Sequence, residues 1–251
     1  MTRLDDLSVK IFADGADKSG MLEMYGRPYI KGFTTNPTLM RKAGITDYEA
    51  FARDILVAIP NRPISFEVFA DDVREMERQA HAIAGWSEQV YVKIPITTTT
   101  GESTCTLVQR LTRDGIKVNV TALMTLEQVR AVADAVAGGA PSYVSVFAGR
   151  IADTGCDPLP LMAAAVEELR PNPKAELIWA SPRELLNIFH ADSIGCQIIT
   201  VTNDILKKLE LVGKDLDQYS LETVRMFYED GVSAGFGLAL EAEAEALSVV
   251  G

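Results

Sequence analysis

Gln89-Val-Tyr-Val-Lys-Ile-Pro95 has the apolar, β-branched make-up of a buried strand, with one cation, Lys93, set inside it. An amphipathic stretch lies on either side, Asp72 to Trp86 before it and Glu102 to Asp114 after it. Strand and helix in alternation imply a parallel sheet, since parallel neighbours need a long crossover that a helix supplies. Lys93 is the anomaly in this unit. An unpaired ammonium in a core either costs several kcal/mol or gives up its proton. A lysine held neutral is a nucleophile that can form a Schiff base with a ketone or aldehyde, which makes class I aldol chemistry the first hypothesis. The strand by itself favours the plainer reading, a lysine whose stem is buried and whose ammonium reaches out to water.

The same unit recurs along the chain. Short apolar runs lie at Val9 to Ala13, Ile30 to Thr34, Ile64 to Val68, Val90 to Ile94, Lys117 to Thr121, Tyr143 to Phe147, Glu176 to Ala180 and Gln197 to Val201, eight in all. Helical patterns such as Leu126 to Gly138, Leu159 to Arg170 and Pro182 to Ala191 separate them, opened by capping residues and several closed near Gly. Eight βα units in 251 residues match the size of a (β/α)8 TIM barrel, an α/β fold. No Pro/Gly/Ser linker divides the chain, so the expectation is a single domain over residues 1–251. Residues 218–250 follow the eighth strand as an extra C-terminal helical segment, interrupted by Gly231, Gly235 and Gly237 and expected to pack on the barrel or reach a neighbouring subunit. A doubly wound sheet has less support, because a glycine-rich dinucleotide fingerprint and a phosphate-binding P-loop are both missing.

Composition narrows the function. A net charge of −11 without a dense Lys/Arg block disfavours nucleic acid and anionic membranes as partners. No apolar stretch approaches the roughly 18 residues of a membrane span, and Met1-Thr-Arg-Leu-Asp-Asp6 lacks the layout of a signal peptide, so a cytoplasmic location is expected. Cys105, Cys156 and Cys196 are odd in number and far apart, which suits a reducing compartment. The two histidines, His81 and His190, each fall in a helical pattern without a second ligand at metal spacing, so no metal site is expected. A metal-dependent aldolase needs a His-rich site to polarise its ketone. Any aldol chemistry here falls to an amine.

Reactive side chains of such a barrel lie at the C-terminal ends of its strands. Asp14 closes the first run, and Thr34, Thr35 and Asn36 the second. Glu67 lies late in the third, Lys93 in the fourth, Asn119 and Thr121 in the fifth. Ser145 and Arg150 end the sixth, and Ser181 and Arg183 follow the seventh. Each has a structural reading: Asp14 or Asn36 in a turn, Glu67 as partner of a buried cation, Thr121 as a helix cap. Seven strands pointing polar groups at one mouth are poorly explained that way, because an idle barrel would fill those positions with apolar side chains.

Gly32-Phe-Thr-Thr-Asn-Pro-Thr38, Val92-Lys-Ile-Pro-Ile-Thr97, Val118-Asn-Val-Thr121, Ser145-Val-Phe-Ala-Gly-Arg-Ile-Ala-Asp153 and Ala180-Ser-Pro-Arg183 resemble the motifs of transaldolases, in the small-subunit branch that includes fructose-6-phosphate aldolases. The resemblance runs from about residue 8 to residue 240 and implies a (β/α)8 barrel that uses a Schiff-base lysine and no cofactor. It implies Lys93 as the Schiff-base lysine, Asp14 as acid/base at the scissile bond, and Glu67 with Thr121 as holders of a proton-shuttling water. Thr34, Asn36, Asn119, Ser145, Phe147 and Ser181 would line the sugar site, and Arg150 and Arg183 would hold the phosphate. Glu67, Phe147 and Asn119 resemble the transferase members, whereas aldolases that release free dihydroxyacetone typically carry Gln and Tyr in place of the first two. The implied activity is transfer of a dihydroxyacetone unit from a ketose phosphate, such as fructose 6-phosphate or sedoheptulose 7-phosphate, to an aldose phosphate, as in the pentose phosphate pathway. Release of dihydroxyacetone to water and an unusual donor or acceptor in a specialised pathway are the near alternatives. A non-catalytic barrel that only binds sugar phosphates is the rival of a different class. Pro182 departs from the family pattern and bears on how Arg183 is placed. The family also implies a ring-like homo-oligomer, a pentamer or decamer.

Overall fold

A computed structural model of the chain describes residues 6–238. Eight parallel strands close into a barrel in sequence order, β1 pairing with both β2 and β8. They are β1 (Lys10–Asp14), β2 (Ile30–Thr34), β3 (Ile64–Glu67), β4 (Val90–Pro95), β5 (Val118–Leu123), β6 (Ser142–Val146), β7 (Ala175–Trp179) and β8 (Ile198–Thr202). Each lies within two residues of its expected place, because a buried strand flanked by turn residues is a local signal. The helices are α1 (Lys18–Tyr25), α2 (Pro37–Lys42), α3 (Tyr48–Ala58), α4 (Val73–Ala84), α5 (Cys105–Arg113), α6 (Leu126–Val136), α7 (Ala148–Ala152), α8 (Leu159–Leu169), α9 (Leu186–Ser193), α10 (Asn203–Leu206) and α11 (Leu216–Ser233).

Local chemistry sets many of the helix starts. Asn36, Asp47 and Asp72 each accept a hydrogen bond from a backbone N–H three residues on, capping α2, α3 and α4. Thr125 and Gln128 form a reciprocal capping box on α6, so the cap belongs to Thr125 while Thr121 stays inside β5.

The barrel axis is filled rather than open. Phe12, Tyr143, Ile178, Ala180 and Ile198 form a buried cluster, with Tyr91 and Phe147 packed against it. Tyr91 stacks on Tyr143 with ring centroids 3.8 Å apart, below the mouth. Gly32 is the residue that admits Phe12 to the axis: a Cβ there would stand 2.6 Å from the Phe12 ring.

The described residues fall into two compact units, one ending at Glu210 and the other starting at Leu211. In the second unit α11 is capped by Asp215 and runs through Gly231 without a break, ending before Gly235, which adopts φ +67°. A glycine inside a helix costs about 1 kcal/mol, not enough to stop it. The expected segment beyond residue 238 lies outside the described residues. No helix among the described residues is long and apolar enough to cross a membrane.

Candidate active site

Asp14, Thr34, Asn36, Glu67, Lys93, Asn119, Thr121, Ser145, Phe147, Arg150 and Ser181 all line one cavity of about 390 Å³ at the C-terminal ends of the strands. Of the twelve candidate residues only Arg183 is absent from its lining. The eighth strand joins the set through Thr200, which the sequence reading did not single out.

Lys93 does not reach out to water. Its side chain is 8% exposed, its Nζ donates to the Thr35 carbonyl at 2.9 Å, and it stands 3.5 Å from Glu67 Oε2. The register explains the pair, since Glu67 and Lys93 are direct neighbours on β3 and β4. The ammonium is therefore buried but partnered, a correction to the picture of an isolated cation in a core. Asp14 completes the charged group. Burial pushes its carboxyl above the usual range, with Glu67 adding to the rise, while Lys93 and a hydrogen bond from Thr34 pull the other way. The Thr34 hydroxyl donates to Asp14 Oδ1 at 2.7 Å and also meets the Thr200 hydroxyl, so β8, β2 and β1 are tied together behind the carboxylate.

A second hydrogen-bonded chain crosses the floor of the cavity. Ser145 Oγ donates to Asn119 Oδ1 at 2.7 Å, and Asn119 Nδ2 donates to Ser65 Oγ at 3.0 Å. All three residues are buried, and the chain fixes which end of the Asn119 amide faces each neighbour. Ser65 was not anticipated from sequence, because it stands second in its strand and not at the C-terminal end, where reactive groups are expected. Asn36 spends its side-chain oxygen on the Leu39 N–H, leaving its amide nitrogen to serve a ligand. Thr121 Oγ1 is buried without a hydrogen-bond partner among the described residues, in a cavity that also presents Lys93 and Glu67. An orphaned buried hydroxyl costs about 1–3 kcal/mol and points to a polar occupant.

The two arginines differ. Arg150 lines the cavity and its guanidinium lies over the Phe147 ring, 5.5 Å from the centroid. Arg183 instead makes a two-pronged ion pair with Asp153, and its N–H donates to Asn187 Oδ1. Pro182 is buried and Ser181 before it takes φ +57°, a left-handed backbone that L side chains rarely adopt. Ala122, also at the cavity, has φ +67° and coincides with a register shift between β5 and β6. Strained residues of this kind cost about 1–3 kcal/mol each and persist where the surrounding structure enforces them. The enforcement at Ser181 is visible: Gly149 lies so close to the Ser181 carbonyl that a Cβ would stand 1.5 Å from its oxygen.

Histidine and cysteine take no part in this cavity. No group of three or more His, Cys, Asp or Glu side chains arranged to hold a metal occurs among the described residues. His190 lies beside Trp179, with ring centroids 6.4 Å apart.

The mouth of the closed (β/α)8 barrel thus gathers a buried lysine, two carboxylates and an arginine. The chain belongs to the transaldolase/fructose-6-phosphate aldolase family, whose model matches residues 11–238. It is 33% identical over 202 residues to a protein of Dehalococcoides mccartyi named "Probable transaldolase", covering 80% of this chain and 90% of that one. "Probable transaldolase 2" of Listeria monocytogenes is 34% identical over 202 residues, covering 80% and 88%. In fold alone the chain is similar to the crystal structure of a putative lyase/mutase from Burkholderia cenocepacia, with TM-score 0.55, 14% identity and 92% and 85% coverage.

Proposed function

We propose that the protein is a class I transaldolase that moves a dihydroxyacetone unit from a ketose phosphate to an aldose phosphate through a Schiff base on Lys93. The observation that carries this reading is the burial of Lys93 beside Glu67 in a cavity that also holds Asp14. For attack on the ketone C2, Lys93 must first shed a proton, and Glu67 at 3.5 Å is placed to take it. The carbinolamine that forms then loses its oxygen as water, the proton coming back from Glu67 directly or through a water held with Thr121. The resulting iminium is the electron sink. Asp14 removes the proton of the C4 hydroxyl, the C3–C4 bond breaks, and its electrons pass into an enamine on Lys93 as the aldose phosphate leaves. An acceptor aldehyde takes the same route backwards, with Asp14 returning the proton to the new hydroxyl. A carboxyl pushed upward by burial is a stronger base, which suits Asp14 to the first of these transfers.

Asn119, Ser145 and the Asn36 amide would hold the hydroxyls of the three-carbon unit, and Arg150 with Ser181 the phosphate. Phe147 supports transfer over release to water: its ring lines the cavity and has no group to position a water on the enamine. The test is borohydride reduction with fructose 6-phosphate followed by peptide mapping. A reduced three-carbon adduct on Lys93 is expected, and folded protein without that adduct would sink the Schiff-base reading. Stoichiometric dihydroxyacetone release without an acceptor would favour the aldolase activity instead.

A further inference from the structure

β3 loses its neighbour where its carboxylate begins. The β2–β3 ladder comprises only Phe33 with Ile64 and Thr34 with Ser65, after which Thr35 makes the last contacts, its N–H and hydroxyl both donating to the Ser65 carbonyl. The chain then turns away at Asn36 to start α2. On the other side Glu67 stays braced, because the following Val68 N–H donates to the Lys93 carbonyl at 3.1 Å. The N–H and C=O of Glu67 itself would be left without a strand partner, a costly condition for backbone at the edge of a buried site.

Tyr48 fills that gap. It is the first residue of α3, and its hydroxyl donates to the Glu67 carbonyl at 2.8 Å while accepting from the Glu67 N–H at 2.7 Å. One phenol thus stands in for the missing peptide unit of a neighbouring strand. The ring is itself wedged, edge-on to Phe66 at 6.3 Å and Phe69 at 5.2 Å and tilted on Trp86 at 5.8 Å. Burial pushes the Tyr48 pKa upward, so the hydroxyl keeps the proton it donates.

We propose that Tyr48 is a positioning residue that holds the Glu67 carboxylate at its distance from Lys93. The proposal rests on the role given to Glu67 above. A small displacement of a proton-transfer group is expensive: an error of about 1 Å can cost on the order of 100-fold in rate. Tyr48→Phe keeps the wedged ring and removes both hydrogen bonds. For this variant, kcat and the rate at which borohydride traps the Lys93 adduct are expected to fall about 10- to 100-fold, with the donor KM within about twofold.

A double-mutant cycle with Glu67→Gln separates the possible failures. If Tyr48 acts through Glu67, Tyr48→Phe lowers kcat in the parent but adds little in the Glu67→Gln background. A full, additive loss in that background would overturn the proposal. So would a Tyr48→Phe variant that melts earlier but turns over and traps substrate like the parent, which is the result for a purely structural tyrosine. Should Glu67→Gln itself turn over normally, the role of Glu67 falls, and the positioning role falls with it. Impairment of Glu67→Gln alongside a normal Tyr48→Phe rejects positioning alone.

Discussion

Glu67 and Lys93 face each other across the β3–β4 ladder, with Oε2 3.5 Å from Nζ, and Asp14 is the second carboxylate to feel the same ammonium. One cation thus serves two carboxylates. Removing it should do more than delete the proposed nucleophile. Lys93→Met is expected to abolish turnover, a loss of about 1,000-fold or more, as removal of a covalent nucleophile does elsewhere. It also takes away the attraction that holds the Asp14 pKa down, so that carboxyl should bind its proton still more tightly in the folded protein. Relative to the parent, the variant should therefore fare best in acid and lose ground as pH rises, which melting curves of both proteins from pH 4 to pH 8 would show. A flat difference from the parent across that range would count against the triad.

Asp14 carries a pH signature of its own. Its folded pKa lies above the usual 3.8, so the folded state binds the proton more tightly than the unfolded chain does. The stability this confers is complete below 3.8 and is lost as pH rises through the folded value. Asp14→Asn should accordingly be more stable than the parent at pH 7, with the advantage shrinking toward pH 3. Its turnover should drop about 100- to 10,000-fold. An activity loss accompanied by lower stability at pH 7 would contradict the sign.

Phosphate should distinguish the two arginines. Arg150 lines the cavity, whereas Arg183 is engaged by Asp153. Arg150→Ala should raise KM for fructose 6-phosphate about 10- to 100-fold, the scale of one or two charge-assisted hydrogen bonds, and leave KM for unphosphorylated fructose little changed. Arg183→Ala should have the smaller effect. Steady-state kinetics with both donors would settle it, and equal effects of the two variants would show that Arg183 swings into the site.

Asn119→Ala strands the hydroxyls of Ser65 and Ser145 in a buried layer. A cost of about 2 kcal/mol is expected, or a fall in Tm of roughly 4–8 °C, together with a higher donor KM. The companion Ser65→Ala should lower kcat/KM without touching the cavity surface. Full activity in that variant would mean that Asn119 keeps its orientation unaided.

Gly149→Ala probes the join between β6 and β7. A Cβ placed 1.5 Å from the Ser181 oxygen forces the backbone apart, and a loss of about 3 kcal/mol or more is expected. Ser181 and Arg150 should shift together, so the phosphate-dependent part of KM should suffer before kcat does. Normal melting of this variant would show that the contact gives way cheaply.

The order of strands and helices was legible in the chain because it depends on local periodicity. Val90–Pro95 and Ile198–Thr202 announce themselves by β-branched residues between turns, whatever lies elsewhere. The residue types at the strand ends were legible for the same reason, since closing a parallel barrel brings every strand's C-terminal end to one mouth. α2 and α3 left weaker traces, and Tyr48 none at all, because an aromatic at the start of a helix reads as packing. Gly231 misled in the other direction, its cost being absorbed within α11.

By itself the sequence determined an eightfold βα repeat and a lysine in the fourth strand amid carboxylates, amides and arginines. Only the tertiary structure decided which of them touch. It put Glu67 on Lys93, Tyr48 on the Glu67 backbone, Asn119 between Ser65 and Ser145, and Arg183 on Asp153 rather than in the cavity. The physical reason is range. Periodicity is a property of neighbours within a few residues, whereas these contacts join residues up to 54 positions apart, as from Asn119 to Ser65. They depend on strand register and on where each strand leaves the sheet. Lys93 could be recognised as out of place from seven residues of sequence; what makes it tolerable there, and holds its partner at 3.5 Å, comes from β2, β3 and α3.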